Sequence, residues 1–299
     1  VGNCGLSIAP AREDDPDFVR RMFSGAEKVP IDVLRGGVDV SWGSVSGYIS
    51  ALSQNRGINV GMLIGHSAVR HYVMGDDYER ESTPEELEAM KQVIRDGMQA
   101  GALGASFTTH RNSVILGEDG KVSEKSVPGS WATHGERMAL AEVLGELGVG
   151  TIQKASPVGI GMERLYESLD FAVDASGRTG RPVSYNFILQ RAEDVEQEWR
   201  VLLQKSEDAY RDGYRVYPMC LSTHREGQHF TFGLTNRVWS GTGIYDLFDG
   251  LPTWSAVLSE SQEGRLAAFR DPDTRTNLRQ EAASTPWDQI KVWVTQLET

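Results

Sequence analysis

The sequence contains no stretch of about 18 consecutive apolar residues, the length a membrane-spanning helix needs, and no run of basic residues. Its 30 lysines and arginines are outnumbered by 42 aspartates and glutamates, giving a formal net charge of −12 and a pI of about 5.0. An acidic chain of this kind is not expected to bind nucleic acid or an anionic membrane surface. Cysteine is scarce: Cys4 and Cys220 stand far apart, which reads as a reduced cytoplasmic protein and not as a disulfide framework. There is no Gly-rich phosphate loop, no Cys-x-x-Cys and no Ser-His-Asp order, which argues against the common nucleotide folds, thiol redox motifs and serine hydrolases. The chain also does not open on methionine. Val1 reads as the tail of an apolar strand, so the chain is expected to be an internal piece of a longer protein, with a matured N-terminus as the plainer alternative.

What is present is an ordinary globular composition, 39% hydrophobic and 24% charged over 299 residues. Short apolar runs alternate with helical patterns. "INVGMLIGH" reads as a buried strand, and "TPEELEAMKQVIRDGMQAG" as a helix. In that helix Thr83 is an N-cap, Pro84 sits at the first helical position, and Leu87, Met90, Val93, Ile94 and Met98 recur at helical spacing before Gly101. The pattern continues as strand "ALGASFTT", helix "ERMALAEVLGELG", strand "VGTIQKA", helix "GMERLYESLDFAVDASG", strand "RPVSYNFILQ", helix "VEQEWRVLLQKSEDAYRDG" and strand "YRVYPMC". Before them, "DDPDFVRRMF" and "WGSVSGYISAL" read as helical pieces.

Repeated strand-helix alternation implies a parallel sheet with right-handed crossovers. With "VGNCG" as a strand tail there are about six strands, two short of a (β/α)8 barrel; an open doubly wound sheet is the rival. The fold class expected is therefore an α/β TIM barrel incomplete at both ends. Residues 1–220 would form the partial barrel. Residues 221–299, an aromatic and Gly-rich insertion followed by a helical segment around the Asp271-Pro272 turn, would belong to the same domain. The unpaired edges of an incomplete barrel invite association, so a homo-oligomer is a further expectation.

In a parallel barrel the chemistry sits at the carboxyl ends of the strands. Those ends carry Asn3-Cys4, His66, Thr108 to Arg111, Gln153-Lys154, Asn186 to Gln190 and Met219-Cys220. A lone cysteine is most often a small buried apolar side chain, but the glycines on either side of Asn3-Cys4 signal a close approach of backbone or ligand. His66 reads either as a site residue or as a hydrogen bond to a neighbouring loop. Arg111 has the chemistry to clamp a carboxylate, although loop arginines are commonly solvated. His110 and His134 lie in polar loops, and Cys220 reads as core. His224 and His229 match metal-ligand spacing only loosely.

Taken together, "VGNCGLSIAP", "LIGHSAVRHYVMG", "GMQAGALGASFTTHR", "SVPGSWATHGERMALAEVLGELGVGTIQ", "RPVSYNFILQ" and "FRDPDTRTNLR" resemble, in this order, the N-acyl-D-amino-acid deacylase (D-aminoacylase) branch of the metal-dependent amidohydrolase superfamily. The resemblance runs from Val1 to about Arg279. It implies a (β/α)8 barrel beside a small β-sandwich, a zinc or other divalent-metal cofactor, and hydrolysis of the amide of an N-acylated D-amino acid, a small-molecule substrate. It implies that Cys4 is a metal ligand on the second barrel strand. A His-x-His pair would lie before Val1 and the general-base aspartate outside the chain, so the fragment alone would be inactive. Arg111 or Lys154 would hold the substrate carboxylate, and Asn186 would orient the acyl group. Two departures stand out. The middle-strand ends "VSYNFILQ" and "YRVYPMC" carry amides and a tyrosine where the family has metal-binding histidines, and "SFTTHRN" is longer than the family's usual segment. A cyclic-amide hydrolase and a degenerate, non-catalytic barrel are the alternatives.

Overall fold

A computed structural model describes residues 1–27, 29–54, 57–109, 113–120, 122–155, 162–188, 198–220, 251–260 and 262–283. The chain forms two compact units, Val1–His229 and Phe230–Thr299. In chain order the elements are α1 (Phe18–Glu27), α2 (Ile31–Gly37), α3 (Val45–Leu52), β1 (Leu63–Gly65), α4 (His66–Met74), α5 (Pro84–Gln99), β2 (Gly104–Thr108), β3 (Val114–Leu116), β4 (Val122–Ser126), α6 (His134–Leu147), β5 (Thr151–Ala155), α7 (Met162–Thr179), β6 (Val183–Ile188), α8 (Glu198–Arg211), β7 (Val216–Cys220), α9 (Pro252–Ser259), α10 (Gln262–Arg270) and α11 (Pro272–Ala282).

The first unit is built on a five-stranded sheet in the order β1-β2-β5-β6-β7, parallel throughout. Strands adjacent in space follow one another in sequence, with helices between them, as the alternation predicts. The helix boundaries follow local chemistry. The Thr83 side chain accepts from the Glu86 backbone and Glu86 reaches back, a complete capping box with Pro84 at the first position. Thr133 accepts from the Glu136 backbone, and Gly148 ends α6 in the left-handed conformation.

Period-2 alternation divides the side chains of the sheet. Ala105, Phe107, Ile152, Val183, Tyr185 and Val216 pack against Met90, Ile94, Leu140, Leu144, Phe171, Ala175 and Leu202 of the helices. This is the main core. A second cluster joins Phe18 and Met22 of α1 to Tyr78, Ile115 and Val127.

Two expectations need correction. "VGNCG" is not a strand: Leu63 N–H donates to Val1 O at 2.8 Å, but the chain then turns. Gly2, Cys4 and Gly5 all have positive φ (87°, 60° and 72°), which no strand adopts. The segment 58–66 is a three-residue strand, and His66 already opens α4. The antiparallel hairpin β3-β4 was not foreseen.

The second unit packs α9, α10 and α11, again with the helix, turn and helix expected around Asp271-Pro272. Asp271 caps α11 by accepting from Thr274 N–H. Glu281 accepts from the backbone N–H groups of Thr253 and Trp254 at 3.0 and 3.2 Å, satisfying the start of α9.

Candidate functional site

The C-terminal ends of the parallel strands carry a closed ring of hydrogen bonds around Cys4. Gln153 on β5 pairs in register with Ser106 on β2 and with Ser184 on β6, so Ser106, Gln153 and, two residues on, Asn186 share one face of the sheet. The turn Asn3-Cys4-Gly5 lies on that face. Cys4 N–H donates to Gln153 Oε1 at 2.7 Å, Gln153 Nε2 donates to Asn186 Oδ1 at 3.1 Å, and Asn186 Nδ2 donates to Cys4 Sγ at 3.4 Å. Gly5 N–H donates to Ser106 Oγ at 3.0 Å, and that hydroxyl donates to Gly2 O.

Glycine is required on both sides of this turn. A Cβ on Gly2 would lie 1.9 Å from Leu63 O, and one on Gly5 2.8 Å from Thr108 N, both backbone atoms that cannot yield. Cys4 is the sole non-glycine residue with positive φ among those described. Such a conformation costs about 1–2 kcal/mol for a residue with a Cβ, and it persists here because the ring and the Ser106 bridge hold it from both sides.

The thiol is half-buried. Burial pushes its pKa up to about 11, the charge of Glu27 adds to this, and the Asn186 hydrogen bond works against both. With nothing further bound the sulfur is a neutral thiol.

Lys154 occupies the opposite face. Its register partners Phe107 and Tyr185 face the helices, with Phe107 5.8 Å from the Phe171 ring and Tyr185 Oη 2.7 Å from Ser206 Oγ. Lys154 is 1% exposed. Its Nζ donates to Thr109 Oγ1 at 2.9 Å and Ala155 O at 2.7 Å. Burial and then the charge of Arg137 lower its pKa to about 7. Two acceptors satisfy the two N–H bonds of a neutral amine.

His66 also lies on the helix side, its ring 5.5 Å from that of Phe107. Its Nε2 is 2.7 Å from Glu136 Oε1. Arg70 and Ser82 donate to the other carboxylate oxygen, Ser82 at 2.7 Å. Burial alone would raise the pKa of Glu136, but the His66 and Arg70 hydrogen bonds and charges outweigh it and hold it at about 2. Burial lowers the pKa of His66 despite Glu136. The imidazole Nε2 faces the Glu136 carboxylate, and Nδ1 has no hydrogen-bond partner. The structure shows His66 as an interior histidine hydrogen-bonded to Glu136 of helix α6, not to a neighbouring loop. Glu136, the hub of this cluster, was not anticipated. Its only sequence signal is its place three residues after the cap Thr133.

Arg111, His110, Gln190, His224 and His229 lie outside the described residues. His134 is exposed and 3.4 Å from Asp174.

Whether these residues fit a metal depends on their donors. Among the described residues no group of three or more His, Cys, Asp or Glu side chains converges. Around Cys4 the neighbours are amides, and Asn186 Oδ1 is already taken by Gln153. These residues fit one ligand, the Cys4 sulfur, and not a complete coordination shell.

No family model matches the chain. Among curated proteins, it is 30% identical over 151 residues to an uncharacterized protein of Mycobacterium tuberculosis, covering 48% of this chain and 24% of that one. It is 32% identical over 107 residues to a D-aminoacylase of Alcaligenes xylosoxydans xylosoxydans, covering 36% of this chain and 20% of the relative. An N-acyl-D-aspartate deacylase of the same organism is 33% identical over 111 residues, with 36% and 20% covered. The chain thus spans a quarter or less of the length of these relatives. Among solved structures, a D-aminoacylase variant in complex with copper chloride superposes with a TM-score of 0.53 at 22% identity, over 73% of this chain and 40% of that one. An N-acyl-D-glutamate deacylase from Bordetella bronchiseptica, complexed with zinc and a phosphonate inhibitor, superposes with a TM-score of 0.51 at 22% identity over the same shares. The resemblance read from the sequence motifs is thus found again by both comparisons, and the α/β fold with its parallel sheet is that of these structures.

Proposed function

We propose that this protein is a metal-dependent amidohydrolase that removes the acyl group from an N-acylated amino acid of D configuration. The observation that carries the reading is Cys4. A thiol is held at the strand ends in a strained turn, between two glycines that cannot be replaced, in a chain that resembles D-aminoacylases in sequence and fold.

In this reading Cys4 contributes one ligand to zinc or another divalent metal. Bound there, the metal supplies a Lewis acid for the scissile carbonyl and an activated water at neutral pH. This chain's residues do the rest of what can be assigned to them. Asn186, beside the sulfur, orients the acyl group. The substrate carboxylate was expected on Arg111 or Lys154. Because the Lys154 amine lies on the helix side of the sheet, between Thr109 and Ala155, Arg111 is the better assignment. The (β/α)8 closure of the sheet and a homo-oligomer belong to the same proposal. The general base is assigned to no residue of this chain.

A second reading, a barrel that binds its ligand without metal, is favoured by one observation: amides stand around Cys4 where imidazoles would complete a metal site. Substrate profiling of the complete protein tests both. Hydrolysis of N-acetyl-D-amino acids, lost in Cys4→Ala, supports the deacylase. Turnover of cyclic ureides in their place moves the assignment to cyclic-amide hydrolysis, and no turnover of either class favours the metal-free binder.

A further inference from the structure

We propose that Gln153 and Asn186 are positioning residues for Cys4, an amide pair that fixes the orientation of its sulfur at the strand ends before any metal arrives. The inference rests on the role given to Cys4 above and adds two residues to it.

The directions of the ring leave no freedom. The Cys4 backbone N–H can only donate, so the Gln153 atom that faces it is the oxygen. The Gln153 amide nitrogen must then face Asn186 and find the Asn186 oxygen. This turns the Asn186 amide nitrogen toward the sulfur. One backbone donor thus determines both amide orientations and places an N–H on Sγ. The two amides stand on β5 and β6, neighbouring strands paired in register, so the ring is anchored on rigid elements and not on loops.

The chemistry of the pair suits the task. Carboxylates or imidazoles at these positions would compete for a metal or add charge. Amides do neither, and the Asn186 donor favours an anionic sulfur. The left-handed backbone of Cys4 needs such support, since nothing intrinsic to the residue favours it. Loss of outer partners around a metal ligand typically costs about 10–100-fold in metal affinity.

The test uses the complete protein, wild type beside Gln153→Met. Methionine matches the shape of glutamine and removes both hydrogen bonds. Titration with Co²⁺, followed by the sulfur-to-cobalt charge-transfer band, should show affinity reduced about 10–100-fold in Gln153→Met. Metal-free amide exchange at Cys4 should be faster by roughly tenfold or more in Gln153→Met than in wild type, while the Ile152 amide, bonded to Pro182 O, stays unchanged. Equal cobalt affinity in wild type and Gln153→Met would overturn the proposal. A wild type with no charge-transfer band would defeat the metal role of Cys4, and amide exchange would then decide the positioning claim by itself: faster exchange upholds it and unchanged exchange ends it.

Discussion

Two polar groups flank the same sheet, one on each face, and they use opposite chemistry. On the helix side, Glu136, Arg70 and His66 form a sealed ionic cluster, none of them more than 4% exposed. On the other face, the half-buried Cys4 joins the buried Gln153 and Asn186 in a ring of neutral groups around a strained turn. The sealed cluster contains full charges but no backbone strain. Its partners are all internal, and its unpaired polar atom, His66 Nδ1, is itself buried. The ring carries strain and an acceptor sulfur at the strand ends. Under the proposed function, strain without charge marks the face that carries the chemistry, and charge without strain the face that holds the fold.

The largest effect should come from breaking the sealed cluster. Glu136→Gln leaves Arg70 buried without a counter-charge and should lower stability by about 3–5 kcal/mol, measured by urea unfolding at pH 7. The pH dependence has a definite sign. The folded pKa of Glu136 is held at about 2, below its unfolded value of about 4.3. Its contribution is present above the unfolded value and is lost as pH falls toward 2. Glu136→Gln should therefore flatten stability across that window.

A smaller effect, a gain in stability on substitution, is expected at Lys154. Its folded pKa of about 7 lies below an unfolded value of about 10.4. The unfolded chain therefore binds the proton more readily through that interval, and stability falls as pH drops from about 10 to 7. Lys154→Met should remove this dependence and stabilise the protein at pH 7 by about 1–2 kcal/mol. No gain, together with a lost ligand affinity, would return Lys154 to the substrate side of the sheet.

The smallest effect sharpens the contrast most. Cys4→Gly removes the thiol and relieves the left-handed backbone, and it should be more stable than Cys4→Ala by about 1 kcal/mol. Calorimetry of the two variants checks this. Equal stability would mean that Cys4 is not strained.

Much of this was legible in the sequence. The Thr83-Pro84 start of α5, the Gly148 end of α6 and the alternation behind the five-stranded sheet are local signals, and each appears where local chemistry puts it. The glycines around Cys4 marked a close backbone approach, and the structure supplies the atoms approached, Leu63 O and Thr108 N. The rest depended on tertiary context. Gln153 and Lys154 are adjacent at one strand end, and only the register says which faces the thiol, because a shift of one residue reverses the face. Glu136 reads as an ordinary helix-cap residue until His66 and Arg70 meet it from α4. The β3-β4 hairpin had only one local signal, the turn pair Asp119-Gly120, with Gly120 at φ 75°, because β4 carries no apolar alternation of its own.

The most direct test of the central claim is metal content. Elemental analysis of the complete protein, wild type beside Cys4→Ala, should find stoichiometric zinc in the first and a clear loss in the second. The same zinc content in both, or none in either, would contradict the assignment of Cys4 as a metal ligand.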